Sequence, residues 1–156
     1  MKYVVLAVVI VLVIFYFTRN SINKKAAAEN ITIGKDFLTK NKANEGILET
    51  ASGLQYQVLQ KGDGNGYPTA SSTVKVHYHG SLLDGTIFDS SVDRGQPISF
   101  PLNRVIAGWT EGVQLMVVGD KFKFFIPSEL GYGNSGTGQI TPGSLLIFEV
   151  ELLDIQ

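Results

Sequence analysis

Val105-Ile106-Ala107-Gly108-Trp109-Thr110-Glu111-Gly112 holds the only tryptophan of the chain, in one of the few stretches after residue 50 whose apolar spacing suits a helix. The helix-period signal runs from Asn103 to Met116, and on both sides the pattern changes to strand-like alternation rich in Val, Ile, Phe and Tyr. A lone large aromatic on a short helix among strands is expected where a sheet curls over that helix. Trp109 then either fills a core or floors a pocket.

Working outward, Leu54 to Lys61 alternates as a strand and Gly62-Asp63-Gly64-Asn65-Gly66 ends it as a flexible loop. That loop lacks a third acidic ligand and the glutamate of a calcium loop, so it reads as a turn. Val74, Val76 and Tyr78 alternate with Lys75, His77 and His79 in the next strand. Asp84-Gly85 marks a hairpin, and Phe88-Asp89-Ser90-Ser91 begins the return strand. Gln96 to Phe100 is a short strand before the helix. Lys121 to Ile126 forms a strand after it, with Phe122, Phe124 and Ile126 on one face. Pro127 to Ser144 reads as a long loop, and Leu146, Phe148, Val150 and Leu152 alternate with Glu149 and Glu151 in a closing strand. The expected fold class is α+β: a twisted antiparallel sheet around one short helix, preceded by an N-terminal apolar helix.

The chain divides by composition into residues 1–20, 21–50 and 51–156. Tyr3 to Phe17 is uninterrupted and apolar, short of the roughly 20 residues of a typical membrane span but long enough for a signal anchor. Ala26-Ala27-Ala28 resembles a signal-cleavage site, yet Arg19, Lys24 and Lys25 separate it from the apolar run. A single-pass anchor is the preferred reading, with the domain periplasmic or otherwise extracytoplasmic, and secretion after cleavage near Ala28 is the alternative. Orientation stays open, since Lys2 and the terminal amine oppose Arg19, Lys24 and Lys25. Residues 21–50 read as a polar linker with room for a short helix around Asp36-Phe37-Leu38.

Net charge is -1, which gives no electrostatic case for nucleic acid. The chain has no cysteine, excluding disulfides, thiolate nucleophiles and cysteine-based metal sites. Gly131-Tyr132-Gly133-Asn134-Ser135-Gly136 spells a dinucleotide-binding motif, but Thr137-Gly138-Gln139-Ile140-Thr141-Pro142 after it cannot open the required helix. His77 and His79 share a strand face without an evident third ligand, so no metal is expected there. What remains is aromatic and apolar: Tyr78, Phe88, Ile98, Phe100, Val105, Ile106, Trp109, Tyr132, Ile140 and Phe148, with the Asp89 carboxylate among them. An aromatic floor with a few polar groups is how pockets take small apolar ligands.

Val76-His77-Tyr78-His79-Gly80 and Asp84-Gly85-Thr86-Ile87-Phe88-Asp89-Ser90-Ser91 resemble the opening motifs of the FKBP-type peptidyl-prolyl cis-trans isomerases. The Val105–Gly112 stretch is similar to that family's helix motif. Gly131-Tyr132-Gly133 and Leu146-Ile147-Phe148-Glu149-Val150-Glu151-Leu152 are similar to its closing segments. The resemblance spans about residues 50 to 156, and Ser52-Gly53-Leu54-Gln55-Tyr56 looks like the bacterial macrophage-infectivity-potentiator branch. Members of that branch often carry a long N-terminal helical dimerisation arm, of which this chain shows only a short stretch.

The resemblance implies a rotamase of X-Pro bonds in proline-containing polypeptide clients, acting without cofactor or metal. It implies Trp109 as the floor and Tyr78, Phe88, Ile98 and Phe148 as walls, with Phe100 and Ile140 also lining. It puts Val105 and Ile106 at the rim, where the Ile106 N–H meets a ligand carbonyl and the Tyr132 hydroxyl another. Asp89 would sit near the rotating amide with Arg94 close by, and macrolides of the FK506/rapamycin type are implied ligands. Thr137 and Ile98 depart from the residues frequent at their positions, His and an aromatic. A chaperone or adapter using the pocket, or the loop from Pro127 to Pro142, is the competing class. Tyr78, Asp89, Trp109 and Tyr132 together favour the enzyme.

Overall fold

The computed structural model describes residues 2–156. In order, the elements are α1 (Lys2–Asn41), β1 (Ile47–Glu49), β2 (Gln55–Gln60), β3 (Thr73–Ser81), β4 (Ile87–Ser90), α2 (Ser91–Arg94), β5 (Ile98–Pro101), α3 (Ala107–Val113), β6 (Lys121–Ile126) and β7 (Leu146–Ile155). All pairings are antiparallel. The order across the sheet is β1-β2-β6-β7-β3-β4, with β5 also paired to β3.

Alternation sets the two faces. In β3, Val74, Val76, Tyr78 and Gly80 are buried while Lys75, His77 and His79 face outward. In β7, Leu146, Phe148, Val150 and Leu152 are buried opposite them. Helix α3 lies on this inner face because Gly108 and Gly112, one turn apart, let its backbone come flush to β6. A Cβ on Gly108 would stand 2.6 Å from the Ile126 side chain, and one on Gly112 2.6 Å from the Phe124 ring. Trp109 is thereby pressed over the centre of the sheet and is 4% exposed.

The helical signal expected from Asn103 to Met116 is split. Leu102–Arg104 form a 3-10 turn, Val105 is extended, and only Ala107–Val113 is α-helical. Two further short helical turns, α2 and Ser128–Leu130, were not legible as helices. Ser90 ends β4 and caps α2, its hydroxyl accepting from the Asp93 N–H at 3.1 Å. The Gly62–Gly66 turn is tied down, with Gly62 N–H donating to Asp120 Oδ1 at 2.7 Å and Gly64 N–H to Val118 O at 3.0 Å.

The N-terminal region corrects the expectation of a short helical stretch: α1 continues through forty residues without a break between the apolar and polar parts. Asn, Lys, Glu and Ala after residue 20 sustain a helix as readily as the apolar run, so polarity changed without helicity changing. Residues 4 to 17 are exposed along their whole length, and the helix is long and apolar enough to cross a membrane. Met1, whose terminal amine enters the orientation reading, lies outside the described residues. From Ala27 onward α1 packs on the domain, through Phe37 against Phe125 with ring centroids 5.7 Å apart and Asn41 Nδ2 donating to Gln55 Oε1 at 2.9 Å. Ile47–Glu49 pairs with β2, so the sheet begins ahead of residue 51.

Candidate active site

Side chains from β3, β4, β5, α3 and β7 and the loop before β7 enclose a cavity of about 630 Å³. Trp109 closes its base. Tyr78, Phe100 and Phe148 meet the indole edge-on, with ring centroids 5.4, 5.7 and 5.3 Å away and interplanar angles of 83°. Phe88 meets Phe148 the same way at 5.3 Å. Gly80 makes room for both rings, since a Cβ there would stand 2.6 Å from Phe88 and 2.8 Å from Phe148. Such edge contacts are worth about 0.5–1.5 kcal/mol each beyond area burial, so the rings hold one another in place across the box.

One polar cluster edges this box. The Tyr78 hydroxyl donates to Asp89 Oδ2 at 2.5 Å, and Arg94 binds both Asp89 Oδ1 and, at 3.0 Å, the Tyr78 oxygen. Burial alone would raise the Asp89 pKa, but the hydrogen bonds from Tyr78 and Arg94 and the guanidinium charge outweigh it and hold the carboxyl below its ordinary value. Tyr78 is shifted up by burial and by its bond to the carboxylate, against the opposing Arg94. The cluster is therefore a neutral phenol on a fixed carboxylate.

The FKBP-type peptidyl-prolyl cis-trans isomerase profile matches residues 64–153, and the profile of the domain amino-terminal to such isomerases matches residues 14–58. The chain belongs to the FKBP-type peptidyl-prolyl cis-trans isomerase family. It is 58% identical over 132 residues to FkpA of Aeromonas hydrophila, covering 85% of this chain and 49% of that relative. It is 51% identical over 123 residues to the FKBP-type 22 kDa isomerase of Escherichia coli, covering 78% of this chain and 59% of the relative. The chain thus spans about half the length of the curated relatives it matches. The crystal structure of FkpA from Escherichia coli superposes with a TM-score of 0.85 at 41% identity, over 94% of this chain and 71% of that one. An isomerase structure from Pseudomonas syringae gives 0.76 at 38%, over 83% of this chain and 96% of the other.

Of the residues singled out in sequence, this FKBP-type cavity is lined by Tyr78, Phe88, Asp89, Phe100, Val105, Ile106, Trp109, Tyr132, Ile140 and Phe148. Arg94 lies outside the lining, hydrogen-bonded to Asp89 and Tyr78. Ile98 is not among the lining residues. It shares a strand face with Phe100 but stands at the outer end of β5, paired with Val76 of β3 and 37% exposed. Arg104 and the loop residues Gly138 and Gln139 line the cavity without having been singled out, and so does Thr137, noted only as a departure. No local pattern marks them, because loop and 3-10 turn reach the cavity only after the chain folds back.

Two donors at the cavity, the Ile106 N–H and the Tyr132 hydroxyl, have no acceptor among the described residues. Ile106 caps α3 with its carbonyl, which accepts from Trp109 and Thr110 N–H. Trp109 Nε1, beneath the cavity, is fully buried and has no partner among the described residues. The Tyr132 side chain is 41% exposed at the mouth. His77 and His79 are engaged elsewhere, their Nδ1 atoms lying 3.0 Å from Ser91 Oγ and 2.8 Å from Ser90 Oγ, so they fasten α2 to the outer face of β3.

Proposed function

We propose that this chain is a peptidyl-prolyl cis-trans isomerase, a rotamase that turns X-Pro bonds in polypeptide clients by non-covalent stabilisation of the twisted amide. The single observation that carries the reading is an aromatic cavity closed by Trp109 whose edge offers donors while its lining carboxylate, Asp89, is already hydrogen-bonded. Rotation of an X-Pro amide crosses a barrier of about 18–20 kcal/mol set by partial double-bond character. The twisted state has lost resonance and charge separation, so an apolar, water-poor box favours it over the planar ground state.

In this reading the proline ring rests on Trp109 between Tyr78, Phe88, Phe100 and Phe148. The Ile106 N–H holds a client carbonyl, the Tyr132 hydroxyl a second, and Val105 and Ile140 cover the flanks. Asp89, fixed by Tyr78 and Arg94, places a negative end beside the rotating carbonyl carbon, where it cannot swing away. Ile98 contributes as an outer contact to client flanks. No heavy-atom bond is made or broken, and the residues need only bind and exclude water. FK506/rapamycin-type macrolides would compete for the same cavity.

Residues 51–156 carry the activity in this proposal, residues 1–20 anchor the chain in a membrane and residues 21–50 join the two. The exposed apolar first half of α1 supports a single-pass anchor or a signal segment removed near Ala28; in this proposal the domain lies on the extracytoplasmic side. A reporter active only outside the cytoplasm, fused after Gln156, gives signal on the first orientation and none on the reverse.

Exchange NMR of a Leu-Pro peptide with the full chain in detergent micelles tests the enzyme. Accelerated cis-trans exchange that falls on Phe88→Ala supports it. Folded protein that leaves the exchange rate unchanged overturns it in favour of a holding or adapter role.

A further inference from the structure

The loop that roofs the pocket is held from behind by the N-terminal helix. Ala27, Asn30, Gly34, Phe37 and Asn41 recur at alternating three- and four-residue steps and form the face that α1 turns to the domain. Ala27 is 3% exposed. Asn30 Nδ2 donates to the Pro142 carbonyl at 2.8 Å and lies 3.4 Å from Thr141 Oγ1. Gly143, at φ +74°, lies directly on the helix backbone: a Cβ there would stand 2.4 Å from the Ala27 carbonyl oxygen.

The same loop forms a wall of the cavity. Tyr132, Thr137, Gly138, Gln139 and Ile140 line it. Between the two faces the loop is laced together. Thr137 and Ile140 exchange backbone hydrogen bonds of 2.9 and 2.8 Å, Gly143 N–H donates to Gly133 O at 2.9 Å, and Thr141 Oγ1 lies 2.6 Å from Ser144 Oγ. Glycines at 131, 133, 136, 138 and 143 give this segment a large conformational freedom to lose, so its placement depends on where it is pinned. The Pro142–Gly143 contact with α1 is that pin.

We infer that Asn30 is a positioning residue for the pocket loop, and that α1 is thereby part of the substrate-binding scaffold. The kinetic consequence rests on the isomerase reading above; the structural one does not. Loosening the pin displaces Tyr132 and Ile140, which bind, and leaves Trp109, Asp89 and Ile106 in place, so substrate affinity changes and the turnover step does not.

The test uses the full chain in detergent micelles. Asn30→Asp keeps the side-chain size but sets a carboxylate against the Pro142 carbonyl; Asn30→Gln keeps an amide donor. For Asn30→Asp the expected result is a KM raised about two- to tenfold, the range spanned by one hydrogen bond, with kcat unchanged. The amide resonances of Thr137, Gly138 and Ile140 move, and Asn30→Gln falls between Asn30→Asp and the unaltered chain. An unchanged KM in Asn30→Asp, unmoved loop resonances, or loss of the helical circular-dichroism signal overturns the positioning role. If the unaltered chain shows no isomerisation, the function proposed above falls by itself and the loop resonances alone decide this inference.

Discussion

The Tyr78 hydroxyl donates to Asp89 Oδ2 at 2.5 Å across two adjacent strands, while Arg94 from the following helical turn donates to Asp89 Oδ1 and to the Tyr78 hydroxyl oxygen. This relationship makes the carboxylate a fixed charge at the wall of an otherwise apolar box. Replacing Asp89 with Ala is expected to lower kcat/KM about tenfold, the equivalent of about 1.4 kcal/mol of transition-state stabilisation, with the fold kept. Peptide exchange kinetics beside a thermal melt check it; a melt lowered in step with activity would make Asp89 structural.

The same cluster sets a pH dependence. Asp89 has its folded pKa below the ordinary 3.8, so its contribution to stability is present above 3.8 and lost as pH falls through the lower folded value. Tyr78 has its folded pKa above 10.0, so its contribution is present below 10.0 and lost as pH rises through the higher one. Urea midpoints measured against pH are therefore expected to fall at both ends, and Asp89→Asn should flatten the acid limb. Activity should show no inflection from Asp89 between about pH 5 and 8.

Trp109 is the sole tryptophan and closes the cavity, so its fluorescence reports on occupancy without labelling. A proline peptide or a macrolide entering the box is expected to shift the emission in a saturable way. Trp109→Ala should abolish binding and cost about 3–5 kcal/mol of stability by emptying the centre of the core. A titration in which emission is unaffected by a ligand that still inhibits would place the binding site elsewhere.

Gly112→Ala should destabilise by about 1–3 kcal/mol, because the added methyl meets the buried Phe124 ring at 2.6 Å and must push α3 off β6. Alanine favours a helix over glycine, so an isolated-helix view predicts the opposite sign. A chemical denaturation midpoint separates the two.

The strands were legible because burial on one face imposes period-two alternation, as in Val74, Val76 and Tyr78 against Lys75, His77 and His79. The aromatic cavity was legible in membership, through Tyr78, Phe88, Trp109 and Phe148, though Ile98 fell outside it. The continuation of α1 through the polar residues after 20, and its docking on the domain, were the largest miss. Its docking face, Ala27, Asn30, Gly34, Phe37 and Asn41, carries a heptad-like spacing, but two small residues and two asparagines make no apolar stripe. Small residues signal close approach only once the partner backbone is known.

By itself the sequence determined the sheet, the central helix and the aromatic set, since these follow from local periodicity and from which side chains water rejects. Tertiary structure alone decided that Arg94 reaches the Tyr78 hydroxyl as well as Asp89, that Arg104 and residues 137–139 reach the cavity, and that α1 grips the Pro142–Gly143 turn. Those contacts join segments as far apart as 112 residues, and hydrogen bonds and close backbone approaches of that kind leave no repeat in the chain for periodicity to reveal.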